Sequence, residues 1–502
     1  MSGSVWLPPG SRPDTLPYIP RQRATPGWAR PDPVDELAAR VEDFIAAAVH
    51  PDEIAALLES DGLSDDQIRE RYGLKNSFAL AETLYERVER RYPEPPGPAP
   101  DPWQTGLLGC LLRGVVFALP GLAYVLGAPL FAGPGDFGLP AGTVPLLAGA
   151  LCGWTWNQGL AHRAYAWLGL GDRTAARRAL LLGAPAGSLL GSVVALACAA
   201  GAAPAVVAFA AGQSCYLAAA TVLLVMGRER LLLLALAPMA TGAVLSLAGP
   251  LPEALSPALL LGSLAAVAAL AVREVAPALE EPGWSAGLVA LLPFGGLGTV
   301  PAQRRPAGPR LTSSLPYALF GLATGVLVLY AALGDVLAGE EHSAVAAPAA
   351  VALTLSMGPA EWLLYRFRGD SLAGLRSSGT ARDFRRTTVL TVVQCLAAYL
   401  AALLVLSLAA SALWPHSPVP GGVRLAGLLL LGVVLWTGLL LQSFGAVTGA
   451  TAVCCAAALA QTLLLVTHTG DPHLAGLAVY GTAAVVQGAL VCALLGRATA
   501  HR

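Results

Sequence analysis

The residues most able to do chemistry stand where chemistry is expensive. Trp154-Thr-Trp-Asn-Gln158, followed by His162-Arg163, lies inside an apolar run long enough to cross a bilayer. Amides, an imidazole and a guanidinium at that depth must face a cavity or one another. Gln158 and His162 are four apart and share one helical face, with Asn157 and Ala161 on the adjacent one. Such a stripe can bind hydroxyl groups or phosphate in a central cavity, or hydrogen-bond to neighbouring helices. Arg113 stands inside the first apolar run, about a turn inside the expected cytosolic boundary. It reads either as an anchor snorkelling to the interface or as an inward-facing binder of an anionic headgroup. Gln213, Gln394, Gln461 and Gln487 each stand alone in an apolar run. With Arg113, Asn157, Gln158 and His162, the residues Gln213 and Gln394 complete the candidate substrate cavity.

Two acids could couple transport to an ion. Glu361 lies within the eighth apolar run and Asp335 near the end of the seventh. Glu361 could equally pair with a nearby cation such as Arg366. The sequence holds no phosphate-binding Walker A loop, no HExxH and no GxSxG. The eight cysteines all fall in apolar runs, without CxxC or zinc-like spacing. No catalytic residue, metal site or cofactor is expected, nor is ATP-driven transport by this chain alone.

Composition says what must position these groups. The chain of 502 residues is 55% hydrophobic and 13% charged, with a mean hydropathy of +0.61. A soluble protein carries about 25% charged residues. The expected fold class is all-α and polytopic, with twelve spans near 105–129, 143–166, 179–200, 204–226, 231–248, 257–273, 313–338, 345–366, 387–413, 423–442, 446–467 and 473–496. Arginines gather after alternate spans: Arg173, Arg177 and Arg178; Arg228 and Arg230; Arg304, Arg305 and Arg310; then Arg366 through Arg386. The loops between, such as 133–142, 249–256 and 339–343, hold no Lys or Arg. By the positive-inside rule both termini are cytosolic, as an even span count requires. The segment 284–300, broken by Pro293 and three glycines, reads as an interfacial or re-entrant connector.

A repeat divides the membrane body. Phe117-Ala-Leu-Pro-Gly-Leu-Ala123 returns as Tyr317-Ala-Leu-Phe-Gly-Leu-Ala323, each opening a block of six spans. A second echo, Asp172-Arg-Thr-Ala-Ala-Arg-Arg178 and Thr380-Ala-Arg-Asp-Phe-Arg-Arg386, follows the second span of each block. Residues 105–273 and 313–497 are therefore expected to be two related six-helix bundles, joined by a connector at 274–312. Prolines 120, 238 and 359 would bend their helices.

Ahead of the membrane body, residues 1–33 read as a disordered Pro/Arg-rich tail, 34–92 as a small helical module and 93–104 as a Pro-rich linker. Asp35–Val49 repeats apolar residues at helical spacing. Pro51-Asp-Glu opens a second helix, Ser64-Asp-Asp-Gln67 is a capping box for a third, and Asn76-Ser77 starts a fourth running to Arg91. Ile68–Gly73 and the helix after it have the outline of a helix-turn-helix. The module carries fourteen Asp/Glu against seven Lys/Arg, a net of −7, and the would-be recognition segment Phe78-Ala-Leu-Ala-Glu-Thr-Leu84 holds no cation. Nucleic acid is not an expected partner, because DNA affinity rests on neutralising phosphates. A cytosolic protein is, with the lipid bilayer and a lipid-linked or amphipathic substrate for the membrane body.

The two six-helix blocks, the opening Arg113…Phe117-Ala-Leu-Pro-Gly121 and the end of span eight, Glu361-Trp-Leu-Leu-Tyr-Arg366, resemble the multidrug/oligosaccharidyl-lipid/polysaccharide flippase superfamily. Within it, they are most similar to exporters of the Pel exopolysaccharide transporter type. The resemblance covers about residues 105–497 and implies alternating access between two bundles that move a lipid-linked sugar or polymer outward. Gly169-Leu-Gly-Asp-Arg-Thr-Ala-Ala-Arg-Arg178 also resembles the loop signature of the major facilitator superfamily, a small-molecule exporter reading. A third reading is a membrane scaffold or receptor whose acidic module recruits a partner. Abundant Ala, Gly and Arg with Lys75 as the sole lysine suggest a high-GC bacterial source, and hence its plasma membrane.

Overall fold

The computed structural model describes residues 32–89, 91, 106–131, 139, 142–199, 201–280, 310–337, 348–378, 380–413 and 422–497. The N-terminal tail to residue 31, the linker, the 284–300 connector and the side chain of Asp335 lie outside the described residues. The chain divides into two compact units, one within residues 1–100 and one within 101–502.

In the first unit, α1 (Pro33–Arg40), α2 (Glu42–Ala47), α3 (Pro51–Ser60), α4 (Asp65–Tyr72) and α5 (Ser77–Arg87) enclose a small core of Ile45, Ile54, Leu58, Ile68, Leu80 and Leu84. The predicted first helix is interrupted at Val41 and begins two residues early, capped by Asp32. The Val34 amide that Asp32 accepts, with Arg87 close by, holds its carboxyl below the usual range. The expected capping box is present: Ser64 Oγ accepts from Gln67 N at 3.4 Å and Gln67 Oε1 from Ser64 N at 3.0 Å. Gly73 ends α4 at φ 72°, a left-handed cap that glycine adopts without strain. The last helix stops at Arg87 rather than Arg91.

The second unit is all-α. Its helices are α6 (Leu107–Phe131), α7 (Thr143–Gly169), α8 (Arg173–Ala197), α9 (Pro204–Val225), α10 (Glu229–Ala248) and α11 (Leu255–Leu279), then α12 (Leu315–Leu337), α13 (Pro348–Ser377), α14 (Ala381–Leu413), α15 (Gly422–Ser443), α16 (Val447–Val466) and α17 (Pro472–Leu495). Ten of them are long and apolar enough to cross a membrane. The protein is a multi-pass helical membrane protein. The other two, α7 and α13, have 27 and 30 residues. They are long enough at about 1.5 Å per residue, and their polar side chains lower their apolarity. These two carry the Trp154–Arg163 stripe and Glu361.

Helix α6 tightens to a 3₁₀ turn at Leu119–Gly121, where Pro120 cannot continue the α ladder. The segments expected to be basic loops are instead helix starts. Asp172 caps α8 through Ala175 N at 2.7 Å, and Thr380 caps α14 by exchanging bonds with Asp383. Span nine thus begins at Ala381 rather than 387, and α13 runs on to Ser377, helped by the i,i+4 pair Arg366–Asp370 at 3.6 Å.

The packing neighbours recur between blocks. Helix α6 lies on α10 as α12 lies on α16; α7 on α8 as α13 on α14; α9 on α11 as α15 on α17. Between blocks the first helices cross over, α6 packing on α13 and α12 on α7. One core gathers around Leu180, Leu223, Leu232 and Val267, the other around Leu403, Leu431, Trp436 and Cys454.

Candidate functional site

Both crossovers are close approaches permitted by glycine. On one side, Cβ atoms added to Gly114 and Gly358 would lie 3.0 Å from Leu355 O and 2.7 Å from Cys110 O, so α6 and α13 meet backbone to backbone. On the other, a Cβ on Gly321 would lie 2.6 Å from Cγ of Gln158, and one on Gly159 would lie 3.3 Å from Ala318. The repeat segment beginning at Tyr317 is thereby seated on the polar stripe of α7.

At each crossover a polar pair joins the blocks. His162 Nδ1 lies 3.0 Å from Ser314 Oγ, and its ring stacks on Tyr317 with centroids 3.8 Å apart. At the other crossover Arg113 pairs through Nη1 with Glu361 of α13, and its Nε donates to Glu229 Oε1 of α10 at 2.6 Å. Tyr365 donates to Glu361 Oε1 at 3.1 Å. Tyr165 of α7, more than half exposed, stands within electrostatic reach of the same charges. The three ionic side chains are each about one quarter to one third exposed. One guanidinium thus serves two carboxylates contributed by different blocks, at the level where four helices converge.

This corrects the expected partner of Glu361. Arg366 lies 3.6 Å from Asp370 and over the Trp362 ring, while Glu361 turns to Arg113. Sequence reading missed Glu229. Its signal is an acid between Arg228 and Arg230 at the start of a span, where a carboxylate runs against the local bias.

The remaining candidates are dispersed. Asn157 is buried, and its Oδ1 and the Oε1 of Gln213 have no hydrogen-bond partner among the described residues. Gln158 is wedged against Gly321. Gln394 lies on the exposed face of α14 and meets none of the others. Gln487 is fully buried, accepting from Thr437 at 2.7 Å and facing Cys454 Sγ at 3.2 Å, the interhelical role open to any lone glutamine. An apolar groove of about 630 Å³ runs beside the α6–α13 crossing, walled by Leu111, Val115, Leu355, Pro359, Val405 and Leu406. Leu111 and Val115 are a turn apart, so Arg113 projects from the opposite face of α6. Among the described residues no group of His, Cys, Asp and Glu could hold a metal.

No family model, curated protein or solved structure matches the chain. Its function has to be argued from its own residues.

The His162–Tyr317 stack gives a direct check on the second crossover. Tyr317→Ala should lower the melting temperature of the purified chain by an amount corresponding to about 1–2 kcal/mol, from lost stacking and burial. Ser314→Ala should cost less, because His162 keeps the ring contact. Equal melting of Tyr317→Ala and the wild type would remove the stack as a tie between blocks.

Proposed function

We propose that the protein is a twelve-span secondary carrier or flippase built of two related six-helix blocks, moving an amphipathic substrate such as a lipid-linked sugar or polysaccharide outward across a bacterial plasma membrane. The observation that carries this reading is the Arg113–Glu229–Glu361 network. Ionisable groups at membrane depth are costly and are retained where something must bind or move. Here they tie the first helix of one block to the second helix of the other. A latch of this kind can hold the blocks together in one state and release them in another. The matching neighbour pairs of the two blocks support their relation as repeats, and α7 and α13 would bring each block from five spans to six. Arginine-bearing ends that contact one another, such as Arg177 and Arg228 through Glu274, support cytosolic termini.

Glu361 and Glu229 exceed Arg113 by one negative charge, which gives a proton or a cation a place in the cycle. The exchange is between Arg113 and that ion on one carboxylate. The amphipathic character of the substrate rests on the resemblance and on the apolar groove that borders the same crossing.

The test reads motion rather than a substrate. Spin labels on a non-canonical amino acid at Leu170 and Arg382, one in each block, leave the native cysteines untouched. In nanodiscs a carrier should give two distance populations, the longer one growing in Glu361→Gln. A single distance unmoved by that substitution would favour the scaffold reading, with residues 34–92 as the working end.

A further inference from the structure

A second charged centre lies at the ends of α8, α10 and α11. Glu274, in the last turns of α11, is buried, with only about a tenth of its side chain exposed. Arg177 Nη2 donates to its Oε1 at 3.0 Å and Arg228 Nε to its Oε2 at 2.9 Å, while Arg173 Nη2 lies 3.8 Å away. Arg173 and Arg177 are four apart and share one face of α8. Three guanidiniums on one carboxylate leave an excess of two positive charges.

The acids next in sequence turn to other partners. Asp172 is occupied in capping α8 and Glu229 in holding Arg113. Donors remain unspent as well. Among the described residues Arg228 meets Glu274 through Nε alone, which leaves both terminal nitrogens for a ligand. Arg173 and Arg228 are each about half exposed, and Arg230 and Arg273 are exposed beside them in sequence. Helices long enough to cross a bilayer place their ends at headgroup level. Fixed guanidinium forks there suit the paired oxygens of a phosphate.

We propose that this arginine cluster binds the phosphate of an anionic bilayer lipid in the leaflet where these helix ends lie. Glu274 acts as its organiser: it draws in three arginines that would otherwise repel, and fixes their remaining N–H groups toward the headgroup. The site does not depend on the chain being a carrier.

The test uses the full chain in nanodiscs of phosphatidylcholine with a minor share of phosphatidylglycerol, followed by native mass spectrometry of retained lipid. The wild type should retain phosphatidylglycerol selectively. Arg173→Gln with Arg228→Gln should reduce that selectivity about twenty-five-fold, since each headgroup-level arginine contributes about a factor of five. Should the double variant fail to fold, Arg173→Gln alone carries the test with about a fivefold loss. Glu274→Gln separates the proposal from a structural ion cluster. It adds one net positive charge, yet selectivity for phosphatidylglycerol should fall, because the arginines lose the carboxylate that orders them; a rise would leave only unspecific charge attraction and would count against the proposal. Three further results would overturn the proposal: no preference for phosphatidylglycerol over phosphatidylcholine, full retention by the arginine variants, or displacement of the lipid by inorganic phosphate, which would make the site one for a soluble anion.

Discussion

Gly358→Val should leave little folded protein, and Gly358→Ala should melt well below the wild type. The added Cβ would stand 2.7 Å from Cys110 O and 3.1 Å from Leu111 Cα, and these are backbone atoms that no rotamer change can move aside. Helix α6 would have to retreat from α13. In a membrane, helices associate through close packing rather than a hydrophobic drive, so separation at a glycine crossing removes much of what holds the pair. Overpacking of this kind costs about 1–3 kcal/mol for a methyl and more for a branched side chain. Gly114→Ala acts on the same crossing, with its Cβ 3.0 Å from Leu355 O. The two alanine variants should therefore be less than additive, because the first to part the helices makes room for the second. Gly488→Ala is the control, since a Cβ there meets nothing within 4 Å. Thermal melts of the purified chain decide the matter. If Gly358→Ala melts with Gly488→Ala, the helices do not cross as closely as described.

The parts of this architecture legible in sequence are those set by the bilayer. Every backbone group in a span must be satisfied within its own helix, so apolar runs report helices to within a few residues at most ends. Caps are equally local: Ser64 with Gln67, Asn76 and Asp471 each satisfy amides two or three residues away. The basic segments read as loops because a run of charge suggests the end of a span. In α13, Arg366 and Asp370 instead continue it by pairing along its surface.

The charged centres depend on tertiary partners, which local spacing does not encode. Arg113 is 116 residues from Glu229 and 248 from Glu361. Glu274 meets Arg177 across 97 residues and Arg228 across 46. Read alone, Glu229 and Glu274 look like ordinary charges at helix edges, and nothing in the spacing of Arg113 or Glu361 names the partner each finds. What sequence did hold was the repeat, and its consequence is visible at Tyr317 and Gly321. The small and aromatic positions that the second copy shares with the first seat α12 on α7, whereas in the first copy a Cβ at Gly121 would meet nothing and Gly114 makes the close approach.

Arg113→Gln should destabilise the protein more than either acid variant alone. Removing the guanidinium leaves Glu229 and Glu361 facing one another in a partly dry site, with like charges and no cation between them. Breaking a fully buried pair in this way costs about 3–5 kcal/mol. These side chains keep a quarter to a third of their exposure, so about 2 kcal/mol is expected here after solvent screening. Arg113→Lys should fall between, because a point charge cannot present Nε to one acid and Nη1 to another. The triple variant Arg113→Gln, Glu229→Gln, Glu361→Gln should regain most of the loss, since it removes the stranded charges together with the cation. The two single acid variants then separate structure from motion. Glu229→Gln cuts a tie within one block, and Glu361→Gln cuts the tie between blocks. Both should melt a little below the wild type, but only Glu361→Gln should enlarge the longer distance between Leu170 and Arg382. If the two acids shift that distance alike, Arg113 is a structural cation of α6, and the latch has to be sought at His162 and Tyr317 on the other crossover.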